Sequence, residues 1–237
     1  MKLSIIIPAY NEGKTIGEIL KKVEKVQLNG VGKEIIVVDD GSIDATASVI
    51  SNFQFPISNF KIIRHKRNLG KGAAVQTGIE NATGDMILIQ DADLEYDPKD
   101  IPRLIEPIIK NKSKVVYGTR LRTKPVLFGN KRTPLLAHFF GNKFLSLATT
   151  ILYGKKITDM ETGYKVFHKS ALAGIKLKAK SFDFEPEITA KILRKGIEIH
   201  EIDIKTNPRG YGEGKKLVAL KDGPLAMWTL IKYRFIN

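Results

Sequence analysis

Apolar runs of four or five residues alternate with helically spaced apolar positions along the first 120 residues. Leu3 to Ile7 is an unbroken apolar run ended by Pro8, and between Gly13 and Val26 the residues Ile16, Ile19, Leu20 and Val23 fall on one helical face. Glu34 to Val38 predicts a second buried strand, Asp44 caps a helix reaching about Ile50, and Phe60 to Ile63 predicts a third strand. Gly70 to Ala82 follows as a helix and Met86 to Ile89 as a fourth strand. Asp97-Pro98 opens a helix carrying Ile101, Leu104, Ile105 and Ile108, and Lys114 to Tyr117 predicts a fifth strand ending at Gly118-Thr119-Arg120. This alternation predicts an α/β fold with a parallel sheet of right-handed βαβ units, whose ligands bind at the carboxyl ends of the strands.

The second part of the chain is patterned differently. Leu135 to Tyr153 is apolar but interrupted by His138, Asn142 and Lys143, which predicts an amphipathic helix, lying either in the core or at a membrane surface. Ser181 to Lys195 reads as a helix and Gly196 to Lys205 as a strand. The tail from Asp222 to Asn237 mixes Leu225, Trp228, Ile231 and Phe235 with Lys232 and Arg234, which suits a membrane interface, a core helix or a partner surface. With 237 residues and 43% hydrophobic content the expectation is a single domain. No cysteine is present, so disulfides and thiolate chemistry are excluded. No run of about 18 apolar residues predicts a membrane span, and Met1-Lys2 leads straight into the first strand without the pattern of a signal peptide. Residues 1–100 carry 12 basic against 14 acidic side chains, net −2, whereas residues 101–237 carry 27 against 11, net +16. A basic second part can meet nucleic acid, anionic lipid or a polyphosphate, and charge alone does not choose.

The polar residues that carry chemistry sit where the strands end. Pro8-Ala9-Tyr10-Asn11-Glu12 follows the first strand, Asp39-Asp40-Gly41-Ser42 the second, Arg64 to Gly72 the third, and Asp91-Ala92-Asp93-Leu94-Glu95 the fourth. In an extended segment Asp91, Asp93 and Glu95 point the same way, and convergent carboxylates suit a hard cation such as Mg2+ or Mn2+. The same spacing also fits a solvated acidic loop. Neither a dinucleotide-binding glycine fingerprint nor a P-loop is present, which disfavours a dehydrogenase or P-loop NTPase. An Asp-x-Asp phosphatase would carry its acids after the first strand.

Taken in order, Pro-Ala-Tyr-Asn-Glu (8–12), Val-Val-Asp-Asp-Gly-Ser (37–42), Asn-Leu-Gly-Lys-Gly (68–72), Asp-Ala-Asp-Leu-Glu-Tyr-Asp-Pro (91–98) and Tyr-Gly-Thr-Arg (117–120) resemble the family 2 glycosyltransferases of the GT-A fold. More narrowly they resemble the dolichyl-phosphate mannose and glucose synthases, over about residues 3 to 220. The resemblance implies a Rossmann-like, mostly parallel central sheet with flanking helices. It implies inverting transfer of mannose or glucose from GDP-mannose or UDP-glucose to dolichyl or polyprenyl phosphate. Pro8, Tyr10, Glu12, Lys71 and one or both of Asp39 and Asp40 are then nucleotide-face residues, and Asp91, Asp93 and Glu95 hold Mg2+ or Mn2+. Arg120, with Arg132 as a second candidate, is implied to bind the acceptor phosphate. Thr158 to Phe167 matches another family block, with a strand expected after it. Its acids Asp159 and Glu161 are implied to meet sugar hydroxyls or to fix the wall of the site. Glu187 aligns with an acidic family position, and Arg209 and Lys215 flank the donor diphosphate.

The chemistry is consistent with that reading. Loss of the sugar–phosphate bond develops charge on the leaving diphosphate, which a cation on Asp91 and Asp93 together with Arg209 and Lys215 neutralises. A phosphate acceptor is already anionic and demands no strong base. A sugar-hydroxyl acceptor, the alternative, needs one, and Asp159 or Glu161 would then serve. A nucleic-acid-binding protein explains the charge alone and leaves the strand-end acids unused. The expected layout is a catalytic domain over 1–216, with a nucleotide-sugar part (1–120) and an acceptor part (121–216), followed by an amphipathic segment (217–237). The expected location is peripheral, on the anionic cytoplasmic face of a membrane.

Overall fold

The apolar runs become the strands of one sheet, whose central members are buried on both faces while the edge strands at either side are partly exposed. In the computed structural model, which describes residues 1–53, 59–121, 136–207 and 219–236, these are β1 (Lys2–Ala9), β2 (Gly32–Asp39), β3 (Phe60–Arg64), β4 (Met86–Ile89), β5 (Val115–Thr119), β6 (Lys165–His168) and β7 (Ile199–Asp203). Their order across the sheet is β3-β2-β1-β4-β6-β5-β7. All neighbours are parallel except β6, which runs antiparallel to both β4 and β5.

Helices cover both faces because successive strand residues point to opposite sides. Leu3, Ile5 and Ile7 pack with Ile16, Ile19, Leu20 and Val23 of α1 (Ile16–Lys25) and with Leu104, Ile105 and Ile108 of α4 (Ile101–Ile109). On the other face Ile6, Ile36, Val38 and Ile87 meet Ala74 of the intervening α3 (Lys71–Asn81), which follows the short α2 (Thr46–Ser51). Val115, Tyr117 and Phe167 pack against α5 (Leu136–Tyr153), α7 (Phe184–Arg194) and α8 (Ala219–Phe235). A four-residue helix, α6 (Lys169–Leu172), continues directly from β6.

Three strands differ from the sequence reading, two of them for a physical cause. Strand β1 runs through Pro8 to Ala9, because β4 pairs only as far as Ile6↔Ile89 and leaves β1 with one neighbour beyond that point. Strand β6 starts inside the 158–167 block rather than after it. Its first residue, Lys165, is fully buried, donates to the carbonyls of Met160 and Thr162, and lies 4.2 Å from the Tyr117 ring centroid. A lysine at a central-strand position hides the strand from a hydrophobicity pattern. Strand β7 is shorter than the expected 196–205, spanning Ile199–Asp203.

Helix α5 has a buried side and an exposed apolar side. Leu145, Ser146 and Thr149 are buried towards the body, while Phe140, Phe144 (63% exposed), Leu147 and Ile151 (73%) form a stripe open to solvent. Beside it α8 exposes Leu225, Trp228 (62%), Ile231 and Phe235 (77%). The two helices are joined by Tyr153 Oη donating to the Leu230 carbonyl at 2.7 Å. The sequence left a core helix and a membrane-surface helix as alternatives, and α5 has one side packed into the core and an apolar side open to solvent. No helix among the described residues is long and apolar enough to cross a membrane.

Candidate active site

The chain leaves β1 first toward β2 and β3, then returns to β4 on the other side, so the sheet has its topological switch between β1 and β4. Ligand crevices form at the carboxyl side of such a switch. Here a cavity of about 360 Å³ opens there, lined by Pro8 at the end of β1, Tyr10 and Glu12 after it, Asp40 after β2, and Asp91, Asp93 and Glu95 after β4. Arg120 after β5, Glu161 ahead of the antiparallel β6, and Glu185 in the first turn of α7 complete its far end.

The acids after β4 do not stay extended. Leu94 takes a left-handed conformation (φ 64°), and Asp93 Oδ1 accepts the Glu95 backbone N–H at 3.1 Å, so the segment turns. Asp91 is held by Lys71, whose Nζ lies 2.8 Å from Asp91 Oδ1 and 2.9 Å from Glu185 Oε1. Burial works against the charge on Lys71, but the two carboxylates outweigh it and hold its pKa well above the ordinary lysine value. Gly163 makes room for this arrangement, since a Cβ there would lie 2.2 Å from Asp91 Oδ2.

On the β2 side, Asp40 is spent on the loop. Its Oδ1 accepts the Leu69 N–H and meets His65 Nδ1 at 2.7 Å, while Oδ2 accepts the Gly70 N–H at 2.8 Å. These bonds carry the chain into α3 through Gly70 (φ 100°), where a side chain would strike the Lys180 carbonyl. Asp39, also buried, accepts the Ser42 N–H through Oδ1 and presents Oδ2 3.1 Å from Arg64 Nε. Glu12 accepts the Thr15 hydroxyl at 3.0 Å.

At the other end, Arg120 and the fully buried Asp159 form a bidentate pair, Nε to Oδ2 at 2.7 Å and Nη2 to Oδ1 at 2.8 Å. Nη1 donates to Tyr96 Oη at 3.0 Å, and that same oxygen accepts the Gly163 N–H at 2.7 Å. A guanidinium has five N–H donors, so this pairing leaves donors for the crevice. Asp159 is in turn set by Glu201, which accepts the Thr158 and Asp159 N–H groups. Burial, reinforced by the nearby Glu185 carboxylate, raises the pKa of Glu161, and burial lowers that of Lys165 behind it.

The sequence profile of glycosyl transferase family 2 matches residues 4–175. The chain belongs to that family. It is 33% identical, over 85% of its length and 84% of the relative's, to the UDP-N-acetylglucosamine–dolichyl-phosphate N-acetylglucosaminyltransferase of Methanococcus voltae. It is 32% identical to the dolichol-phosphate mannosyltransferase of Pyrococcus furiosus, over 91% of this chain but 59% of that protein. Among solved structures, glucosyl-3-phosphoglycerate synthase from Mycobacterium tuberculosis, in complex with Mn2+, UDP and phosphoglyceric acid, superposes with a TM-score of 0.71 at 18% identity, covering all of this chain and 79% of that one. That likeness establishes the GT-A type fold.

In this family 2 glycosyltransferase most of the residues expected from sequence do line one crevice: Pro8, Tyr10, Glu12, Asp40, Lys71, Asp91, Asp93, Glu95, Arg120 and Glu161. Asp39 and Asp159 stand behind it. Arg132, Arg209 and Lys215 lie outside the described residues. The three-carboxylate convergence is not formed, and among the described residues no group of three His, Asp or Glu side chains gathers as a metal cage. Asp91 and Asp93 still fit a divalent cation of the Mg2+ or Mn2+ type, which is commonly held by one or two carboxylates with substrate phosphates completing the shell. Glu187 is not a site residue: it accepts the Lys178 and Ala179 N–H groups and pairs with Lys191. The neighbouring Glu185 faces the crevice instead. Residues two apart on a helix point nearly opposite ways, so only one of the pair could do so. Tyr96, within the quoted 91–98 motif, is the other missed contributor.

Proposed function

We propose that this enzyme transfers a hexose, with inversion, from a nucleotide sugar to the phosphate of a polyprenyl or dolichyl lipid. The observation that carries the lipid acceptor over a sugar hydroxyl is the apolar stripe on α5 and α8. A second, small pocket lined by Asn142 and Leu145 of α5 and Gly223 and Ala226 of α8 shares Glu161 and Phe182 with the crevice. The crevice therefore reaches the seam between α5 and α8, the two helices that carry the exposed apolar stripe, and Lys143, Lys232 and Arg234 belong to the same helices. An apolar stripe rimmed by cations suits an anionic leaflet, from which a lipid phosphate reaches Arg120 without leaving the membrane. The named activities of the Methanococcus and Pyrococcus relatives point to the same acceptor class.

The residues then divide the work along the sheet. The loops after β1 and β2 take the nucleoside, with Tyr10 and Glu12 facing the crevice and Asp40 held at its rim by the backbone N–H groups of Leu69 and Gly70. Asp91 and Asp93 would hold a divalent cation, which would supply positive charge to offset that developing on the leaving diphosphate. Lys71 keeps Asp91 in place and adds a positive charge beneath the diphosphate. Arg120, oriented by Asp159 and Tyr96, binds the acceptor phosphate with its remaining donors and aims it at the anomeric carbon. Asp159 acts through Arg120. It would have to release that pair to serve as a base, which favours an acceptor that needs none.

Radiolabelled GDP-mannose, UDP-glucose and UDP-N-acetylglucosamine, each offered with a short polyprenyl phosphate and Mn2+, test the proposal. Label moving into the organic phase with one donor is the expected result. Label appearing only in water-soluble saccharide would replace it with the hydroxyl-acceptor reading. Phe144→Ser combined with Trp228→Ser should release the protein from anionic liposomes while preserving turnover of a short, water-soluble acceptor. Unchanged liposome binding would remove the stripe from the argument.

A further inference from the structure

We infer that Lys71 acts as a resident cation on Asp91, keeping free divalent ions out of the site and admitting them only together with a nucleoside diphosphate. This rests on the reading of the crevice as a cation-assisted nucleotide-sugar site and adds the order in which that site fills.

Both oxygens of Asp91 are engaged in the empty protein. Oδ1 lies 2.8 Å from Lys71 Nζ, and Oδ2 is packed against Gly163, where a Cβ would stand only 2.2 Å away. A small divalent ion bonded to a carboxylate oxygen sits about 2.1 Å from it. With the ammonium on the same Oδ1, the two cations would be no more than about 5 Å apart. The side chains of Lys71 and Asp91 are 19% and 15% exposed, so little water stands by to screen that repulsion. Asp93, the other carboxylate of the site, turns Oδ1 to the Glu95 N–H. A free ion therefore meets a site whose inner carboxylate already has its positive partner.

The means of release lies in the same contact. An ammonium has three N–H donors, of which Asp91 Oδ1 and Glu185 Oε1, at 2.9 Å, take one each, so a third remains for a phosphate oxygen. A diphosphate entering the crevice draws the ammonium toward itself while Glu185 keeps hold of it, and Asp91 Oδ1 becomes available to a cation that arrives with the phosphates. Only the side chain has to move. The backbone around Lys71 is fixed on one side by the Gly70 N–H on Asp40 Oδ2 at 2.8 Å, and on the other by the Ala73 N–H on the Lys180 carbonyl at 3.2 Å. Glu185, 6% exposed in the first turn of α7, is the partner that stays. The species the crevice selects is then the divalent-cation complex of the nucleotide sugar. By linkage, the cation and the diphosphate raise each other's affinity by the same factor.

Mn2+ binding, followed by the paramagnetic resonance signal of the free ion, tests this on the full chain without turnover. In wild type, saturating UDP or GDP should tighten Mn2+ binding at least about 10-fold. Lys71→Met keeps the reach of the side chain and removes its charge. It should tighten Mn2+ binding to the free protein on the order of 10-fold, yet change it by no more than about twofold in the diphosphate complex, where the ammonium has already left Asp91. Glu185→Gln leaves the ammonium with Asp91 as its one carboxylate and should shift the free protein the other way, weakening Mn2+ binding about 10-fold. That variant keeps the test decisive if Lys71→Met does not fold. Tightening by Lys71→Met of equal size with and without diphosphate would make Lys71 a background charge and overturn the inference. So would a wild type that binds Mn2+ equally well alone, or a Glu185→Gln variant that binds it more tightly. If neither UDP nor GDP bound in the presence of Mn2+, the nucleotide-sugar reading itself would fall, and the Mn2+ titrations of the nucleotide-free proteins tell that result from the others.

Discussion

Two buried glutamates at opposite edges of the sheet show how the fold separates stability from function. Glu34, at the start of β2, has both oxygens satisfied: it accepts from Ser4 Oγ at 2.5 Å, Thr83 N at 2.9 Å and Thr83 Oγ1 at 2.9 Å, with Lys61 Nζ 3.3 Å away. Burial alone would raise its pKa, yet the bonds from Ser4 and Thr83 pull it down to about 2. Glu185, at the carboxyl edge, is equally enclosed but has one oxygen paired and the other unmatched. Bonds from β1 and from the turn before β4 complete the carboxylate at the amino edge, whereas Glu185 at the carboxyl edge keeps one oxygen unmatched. An unfinished buried carboxylate is what a binding site looks like before its ligand arrives.

The largest effect that would sharpen this contrast is Asp93→Asn. It keeps the shape of the turn and removes a charge from the proposed cation site, so kcat/KM should fall on the order of 10³-fold while thermal stability stays within a few degrees. A variant retaining metal-dependent turnover would take Asp93 out of the site. Next comes a matched pair of glycines. A Cβ at Gly163 would lie 2.2 Å from Asp91 Oδ2, whereas one at Gly84 would lie 2.7 Å from Ser4 Oγ and 2.8 Å from the Lys2 carbonyl. Gly163→Ala should displace Asp91 and cost about 10²-fold in kcat/KM. Gly84→Ala should cost roughly 1–3 kcal/mol of stability and leave kcat near wild type below the transition. Denaturation and steady-state kinetics on both variants would break the comparison if the two losses were interchanged.

The fold was legible because its signals are local. Each parallel strand is an apolar run, and each helix between them has its own spacing, so β1 to β5 and α1 to α4 can be placed without any long-range knowledge. Strand β6 was blurred because Lys165 is buried through contacts with Met160, Thr162 and Tyr117 that no periodicity reveals. The site was legible as a set of strand ends, and its internal wiring was not. Lys71 meets Asp91 across 20 positions, and Arg120 meets Asp159 across 39, so the sequence could nominate these residues without pairing them. Glu185 was passed over for Glu187 because the choice depends on how α7 is rotated against the loop at 178–179, which is decided by packing.

The smaller effects lie at the amino edge and concern pH. The folded pKa of Glu34, about 2, lies below its unfolded value near 4.5, so its contribution to stability is complete above about pH 4.5 and is lost as pH falls toward 2. The difference corresponds to at most about 3 kcal/mol. Glu34→Gln should therefore flatten the acid limb of a stability–pH curve in that window while leaving the pH profile of kcat/KM unchanged. A parallel shift of both curves would mean that the two edges are coupled. Lys61→Ala is the mildest probe: its side chain is 43% exposed, so its pairing with Glu34 should be worth only about 0.5 kcal/mol and should weaken with added salt. Were Lys61→Ala to cost as much as Glu34→Gln, the carboxylate would owe its low pKa to the lysine rather than to Ser4 and Thr83. The finished edge would then depend on a surface charge instead of on buried hydrogen bonds.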